Sequence, residues 1–362
     1  MRTHFFTGFP GFIATQLIKE LVRLGEVQRI YAVVQSKQEA LAKDKAASIM
    51  AEMNAIIPFD IIVGDITKEN LGMDKEAIDH LYEHRLTVWH LAAIYDLAVQ
   101  KEIAWNVNVE GTRQVNEFVR DHPSIARYMY FSTAYVAGKR EGLLLETELI
   151  RPDSFKNYYE ETKFEAEWLV EDLKKELPVT IIRPGIVRGH SKTGETIKFD
   201  GPYFFMNMID RLRWMPIIPY VGKTEACINV VPIDYIIQAV VFLSSKMEAA
   251  GQTVHLTDPS PHPVEEVYQA MVIELTGKKP KGRLPRVLAE KGLSSIRVQR
   301  TLGVEAETID YLTWNATFDT TNAERLLRGS SISCADFLDS IPSMAAFYKK
   351  NKKNIDYHIN IG

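Results

Sequence analysis

Two glycines, at positions 8 and 11, mark a strand-to-helix turn that restricts the fold of this chain more than any other stretch. His4-Phe5-Phe6 reads as a short apolar strand. Thr7-Gly8-Phe9-Pro10-Gly11-Phe12-Ile13-Ala14 reads as a turn, and the chain to about Leu24 as a helix. A strand that feeds a helix through such a turn is the first half of a βαβ unit. Gly8 permits the tight turn. Gly11 lets the backbone approach a pyrophosphate seated on the free N–H groups of the helix start. Ala14 stands where close helix–strand packing calls for Gly or Ala. Thr7, Gly8, Gly11, Phe12 and Ile13 are therefore expected to hold a dinucleotide.

The alternation continues. Strands are expected at Arg29 to Val34, Phe59 to Val63, Thr87 to Leu91, Tyr128 to Ser132, Val179 to Ile182 and Thr253 to Leu256, with a helix from Asn106 to Arg120. Strands that alternate with helices predict an α/β fold, a Rossmann-type doubly wound parallel sheet. Ligands of such sheets bind at the carboxyl ends of the strands. The glycine turn, Asp65, Ile66, Ala92, Ala93, Thr133 and Pro184 fall at such ends. The pattern changes after Arg183. Residues 190 to 229 carry loop signals and aromatics, Phe199, Tyr203, Phe204, Phe205, Trp214 and Tyr220 among them. Residues 1–189 and 230–258 are expected to form the nucleotide domain. Residues 190–229 and 259–362 are expected to form a smaller, mainly helical and discontinuous substrate region.

Composition excludes several classes. The chain has 362 residues, 46% hydrophobic and 25% charged, with a formal net charge of -4. No long basic run invites nucleic acid. The most apolar run, Ile228 to Leu243, is interrupted by Asn229, Pro232, Asp234 and Gln238 and is too short to span a bilayer. Cys227 and Cys334 stand far apart, and no Cys or His spacing suggests zinc, so neither a disulfide framework nor a metal is expected. A cytoplasmic location fits, and the glycine motif begins too early to leave room for a signal peptide. The oligomeric state is not legible.

After the second strand the chain reads Gln35-Ser36-Lys37, with no acid before Glu39. An NAD site usually places Asp or Glu there, on the ribose 2′-hydroxyl. An uncharged or basic end leaves room for a 2′-phosphate. NADP(H) is the expected cofactor, with NAD left open.

Asn157-Tyr158-Tyr159-Glu160-Glu161-Thr162-Lys163 opens a helix that runs to about Leu173. Tyr159 and Lys163 stand four apart and share a face, whereas four residues after Tyr158 comes Thr162. An ammonium nearby lowers a phenol pKa, and such a pair can exchange a proton with a substrate oxygen.

Thr7-Gly8-x-x-Gly11-x-x-Ala14, Gly64-Asp65, His90-Leu91-Ala92-Ala93, Asn108-x-x-Gly111-Thr112, Phe131-Ser132-Thr133-Ala134-Tyr135-Val136, Tyr159-x-x-x-Lys163, Arg183-Pro184-Gly185 and Val231-Pro232-x-Asp234, in this order, resemble the extended short-chain dehydrogenase/reductase family. The resemblance covers roughly residues 3 to 258. It implies that Thr133, Tyr159 and Lys163 are catalytic, with Ser132 as the alternative to Thr133. The 26-residue gap from Thr133 to Tyr159 matches the extended branch. Asn108, Tyr159, Lys163, Pro184 and Val187 are implied cofactor contacts beside those already named.

A narrower resemblance, carried by Ser132 to Val136 and by Arg183 to Gly194, is to the thioester reductase and fatty acyl-CoA reductase branch. It implies reduction of an acyl thioester or aldehyde with an apolar chain, delivered by coenzyme A or a separate carrier. The aromatics of 199 to 220 are then either the wall of an acyl pocket or plain core. A sugar-nucleotide epimerase or dehydratase and a ketone reductase of the same family are the alternatives. Gln35 departs from the branch, which often carries Arg there. Gly189-x-x-x-x-Gly194-Glu195-Thr196 mimics a phosphate loop, but Glu195 stands where Lys is needed. Gly189-x-Ser191 is not a nucleophile elbow, because residue 193 is Thr.

Overall fold

The computed structural model describes residues 2–96, 99–306 and 308–359. Seven strands form the central sheet: β1 (Arg2–Thr7), β2 (Val27–Val34), β3 (Phe59–Val63), β4 (Leu86–His90), β5 (Ile125–Phe131), β6 (Val179–Pro184) and β7 (Gln252–Leu256). All seven were expected from sequence, and their ends move by at most three residues. The order across the sheet is β3-β2-β1-β4-β5-β6-β7, and every neighbouring pair is parallel. The winding reverses between β1 and β4. That reversal opens a crevice beyond their carboxyl ends, where open α/β sheets take their ligands.

Successive residues of a strand face opposite sides. Phe6 and Ile182 join one core, under helices Phe12–Arg23, Glu39–Glu52 and Ile233–Ser245. Phe5 and Ile181 join the other, under Lys75–Tyr82, Gly111–Asp121 and Tyr158–Leu173. Both faces are covered. This is why the strands read as unbroken apolar runs instead of alternating ones.

One element departs from the sequence expectation. The expected Asn106–Arg120 helix is divided: Trp105–Glu110 winds as a π turn and Gly111–Asp121 as regular α-helix. At the junction a β-carbon on Gly111 would lie 2.8 Å from Ile66 Cδ1, so Ile66 fills the space that glycine leaves open. For the aromatics of 199 to 220, both an acyl-pocket wall and plain core were open readings. Phe199, Tyr203 and Phe205 sit in a third core with helices Val264–Thr276 and Phe337–Asn351, and Phe204 packs against Leu293 and Val304. Trp214 is 77% exposed. Phe199 to Phe205 therefore lie in core, Trp214 does not, and the stretch does not wall a cleft as one unit.

A two-stranded parallel ladder, Ile186–Arg188 with Val230–Pro232, carries the chain away from the sheet and back. Near the C-terminal end, Ala323, Leu326 and Leu327 of helix Thr321–Leu327 return to the first core. Among the described residues, no helix is long and apolar enough to cross a membrane.

Candidate active site

The glycine turn is built by close backbone approach. Gly8 has φ +85°, and a β-carbon there would lie 2.7 Å from Ala92 N. A β-carbon on Gly11 would lie 2.6 Å from Gly8 O. A side chain at Gly8 would push the turn away from the Leu91–Ala92 backbone after β4, and one at Gly11 would open the turn itself. The helix that follows starts at Phe12, has no capping side chain, and carries no acid in its first turn. Its free amides and dipole face the crevice unopposed, which suits an anion such as a pyrophosphate. Phe12 and Ile13 lean on the first core. The residues present thus fit a dinucleotide.

The other strand ends meet there. Gln35 is half-buried, and Ser36 and Lys37 are exposed. Glu39, the first acid after them, is taken by Lys43 at 2.6 Å. Asp65 spends one carboxylate oxygen on Thr67, accepting from its N at 3.0 Å and its Oγ1 at 2.8 Å. Ala92 and Ala93 are half-buried. Pro184 ends β6, and a β-carbon on Gly185 beyond it would meet Asn229 Oδ1 at 2.6 Å. Val187 lies on the short ladder, opposite Val231. Asn108 is buried and fully used inside the protein. Its Oδ1 accepts from Ile94 N at 2.8 Å, and its Nδ2 donates to Ile94 O and to Thr162 Oγ1, each at 3.0 Å. It ties the segment after β4 to the Tyr159 helix.

Helix Tyr158–Leu173 is capped by Asn157, whose side chain accepts from Glu160 N at 3.0 Å. The two tyrosines part at once, as successive helical residues must. Tyr158 is 45% exposed, with the Lys101 ammonium 5.6 Å above its ring. Tyr159 is half-buried and has the Thr133 side chain as hydrogen-bond partner. Thr133 itself begins the turn after β5, and its Oγ1 accepts from Tyr135 N at 3.2 Å. Ser132 points elsewhere and donates to the buried Glu167 carboxylate. Burial pushes the Tyr159 phenol up to about 12, with Thr133 working against that rise and Glu160 adding to it. The depressed phenol pKa expected from sequence is not found.

The cause is the place of Lys163. Its side chain is buried, and its Nζ donates to Phe131 O at 2.7 Å and to Tyr130 Oη at 3.1 Å. Burial pulls it down to about 7, against the pull of Glu167. Glu167 is committed too: Arg183 donates to it from Nη2 at 2.6 Å and from Nε at 2.9 Å. A polar thread runs on from this point to the glycine turn. Thr112 partners Tyr130, His90 Nε2 lies 3.0 Å from Thr112 Oγ1, and His90 Nδ1 lies 2.7 Å from Thr7 Oγ1. Burial, and then the Lys163 charge, push His90 down to about 3, so its ring is neutral.

One group escaped the sequence reading. Lys156 Nζ sits 3.6 Å above the Trp314 ring and within 6 Å of the Tyr135 and Tyr311 rings. Its carboxylate partner is Glu160, at 3.5 Å, which also accepts from Tyr311 Oη at 2.8 Å. This buried cage locks the start of the Tyr159 helix to a segment more than 150 residues later. The aromatics on their own gave no signal of it, because the pairing is long-range.

The geometry is that of a nucleotide crevice with a hydroxyl, a phenol and an amine beside it. The model of the male sterility protein family matches residues 6–240. The chain belongs to that family. It carries the family's NAD(P)-binding domain and is an extended short-chain dehydrogenase/reductase. Among curated relatives, it is 27% identical over 270 residues to the non-canonical nonribosomal peptide synthetase cpsA of Aspergillus campestris, covering 70% of this chain and 25% of that one. It is 26% identical over 273 residues to the fatty acyl-CoA reductase wat of Drosophila melanogaster, covering 65% of this chain and 52% of that one. The chain thus spans between a quarter and about half of these relatives. Among solved structures, the terminal R domain of the myxalamid PKS-NRPS biosynthetic pathway superposes with a TM-score of 0.82 at 25% identity, covering 99% of this chain and 93% of that one.

Proposed function

We propose that this family member is an NADPH-dependent reductase of an acyl thioester or an aldehyde with an apolar chain. The observation that carries the reading is the Thr133–Tyr159 hydroxyl pair at the carboxyl edge of the sheet, beside a glycine turn that tolerates no side chain. Relatives named as a fatty acyl-CoA reductase and a nonribosomal peptide synthetase support the substrate class. The absence of an acid between the end of β2 and Glu39 supports NADPH over NADH.

In this reading the glycine turn, Gln35 to Lys37, Asp65, Ile66, Ala92, Ala93, Pro184 and Val187 surround the nucleotide. The bound nucleotide supplies the hydride. Thr133 orients the carbonyl oxygen of the substrate by a hydrogen bond. Tyr159 keeps its proton at working pH, because burial holds its pKa high, and gives that proton to the oxygen as negative charge develops there. Lys163 fixes the β5 end, where Thr133 follows, through Phe131 and Tyr130. Asn108 holds the turn of helix that faces them. Residues 190–229 and 259–362 supply the substrate side, helix Thr321–Leu327 apart.

The test is a parallel screen of NADPH oxidation against acyl-CoAs, aldehydes and ketones. Turnover of acyl-CoAs or long aldehydes supports the reading. Turnover of ketones alone, or conversion of a sugar nucleotide with no net NADPH consumption, overturns it.

A further inference from the structure

A second group of chemistry-bearing side chains lies at the opposite end of the strands, beside the start of β2 and β3. His80 and Glu83 stand at the end of helix Lys75–Tyr82, and His84 follows. The backbone stays helical through Glu83, and His84 N donates to Leu81 O at 3.1 Å. Two histidines four apart on a helical turn project on one side, one above the other. Ligand atoms of His80, Glu83 and His84 all lie within 4.8 Å of one another. His80 Nδ1 and Glu83 Oε2 are 3.5 Å apart. Two ligands of one tetrahedral zinc, each about 2.0–2.2 Å from the ion, stand about 3.4 Å apart.

The surroundings give a second, independent indication. His84 Nε2 is buried and has no hydrogen-bond partner. The Tyr31 ring lies 5.8 Å from both imidazoles. A buried polar atom left without a partner is uncommon and points to a missing ligand or water. Arg29 approaches His80 Nε2 at 3.3 Å, and its charge is offset by Asp60 at 2.9 Å. Metal binding at His80 Nδ1 puts the ring proton on Nε2, so Arg29 must turn away from that nitrogen as the site fills.

We propose that His80, Glu83 and His84 bind one divalent transition metal of the zinc class, through two imidazoles and one carboxylate, with the remaining positions left to water. Two nitrogens and an oxygen suit zinc, nickel or copper and do not suit calcium or magnesium. The site ties the end of the Lys75–Tyr82 helix to the edge beside Tyr31. It lies away from the glycine turn, so it acts on stability and not on turnover.

The experiment uses the untagged full-length chain, stripped with a chelator and titrated with ZnCl2 by calorimetry. One saturable equivalent is expected, with a rise in melting temperature that grows with zinc concentration. His80→Ala and His84→Ala should each weaken binding by about tenfold or more, the lower end of what losing a metal-shell group costs. Cobalt should give visible ligand-field absorption in the wild type and not in the double variant. NADPH binding by the double variant serves as the check on folding. Absence of saturable zinc binding, or unchanged affinity in a double variant that still binds NADPH, overturns the proposal.

Discussion

Lys163 Nζ donates to the Phe131 carbonyl at 2.7 Å, which buries the ammonium behind β5. Desolvation pulls its pKa from the usual 10.5 to about 7, against Glu167. Between those two values the unfolded chain binds the extra proton and the folded chain does not, so this group makes stability rise with pH from about 7 to 10.5. Below 7 its cost is fully present. Stability of the wild type relative to Lys163→Met, measured by urea unfolding, should therefore climb between pH 7 and pH 10 by an amount on the order of 3–5 kcal/mol. A difference that does not change with pH would mean that the ammonium is solvated.

Cofactor choice rests on Gln35, Ser36 and Lys37, which line the end of β2 with no carboxylate among them. NADPH should bind more tightly than NADH in a fluorescence titration. Gln35→Asp should shift preference toward NADH, since a carboxylate would repel a 2′-phosphate and accept from a 2′-hydroxyl. Equal affinities in the wild type would contradict this.

Phe199 and Trp214 lie in one aromatic stretch but differ in environment. Phe199 is fully buried among Tyr203, Tyr348 and Tyr357, whereas Trp214 is largely exposed. Phe199→Ala should cost about 3–5 kcal/mol of stability. Trp214→Ala should stay within about 0.5 kcal/mol. Urea unfolding separates the two. A severe loss at Trp214 would mean that it is covered.

What was legible in the sequence was whatever local pattern controls. The strands could be read because Phe5-Phe6 and Ile181-Ile182 must satisfy two cores at once, which leaves an apolar run with turn signals at its end. Gly8 and Gly11 could be read because backbone approach admits no other residue. The Tyr159 face followed from helical spacing alone. Three things could not be read. The place of Lys163 depends on Phe131 and Tyr130, on a different strand. The Lys156 cage gathers Tyr135, Tyr311 and Trp314 from distant segments. The aromatics of 199 to 220 have no period that separates core from cleft, and only the packing of helices Val264–Thr276 and Phe337–Asn351 decides it. The fall in phenol pKa expected from Tyr-x-x-x-Lys failed for a related reason, since spacing fixes the face of a side chain and not the partner its end finds.

The most direct measurement is turnover of Tyr159→Phe beside Tyr158→Phe, on the best carbonyl substrate from the NADPH oxidation screen. Tyr159 is the half-buried phenol partnered by Thr133, and Tyr158 is the exposed one. Loss of a general acid typically costs about 10²–10⁴-fold. Tyr159→Phe should lose that much in kcat while its NADPH affinity is retained, and Tyr158→Phe should keep most of its activity. Near-normal turnover in Tyr159→Phe would contradict its assignment as the proton donor.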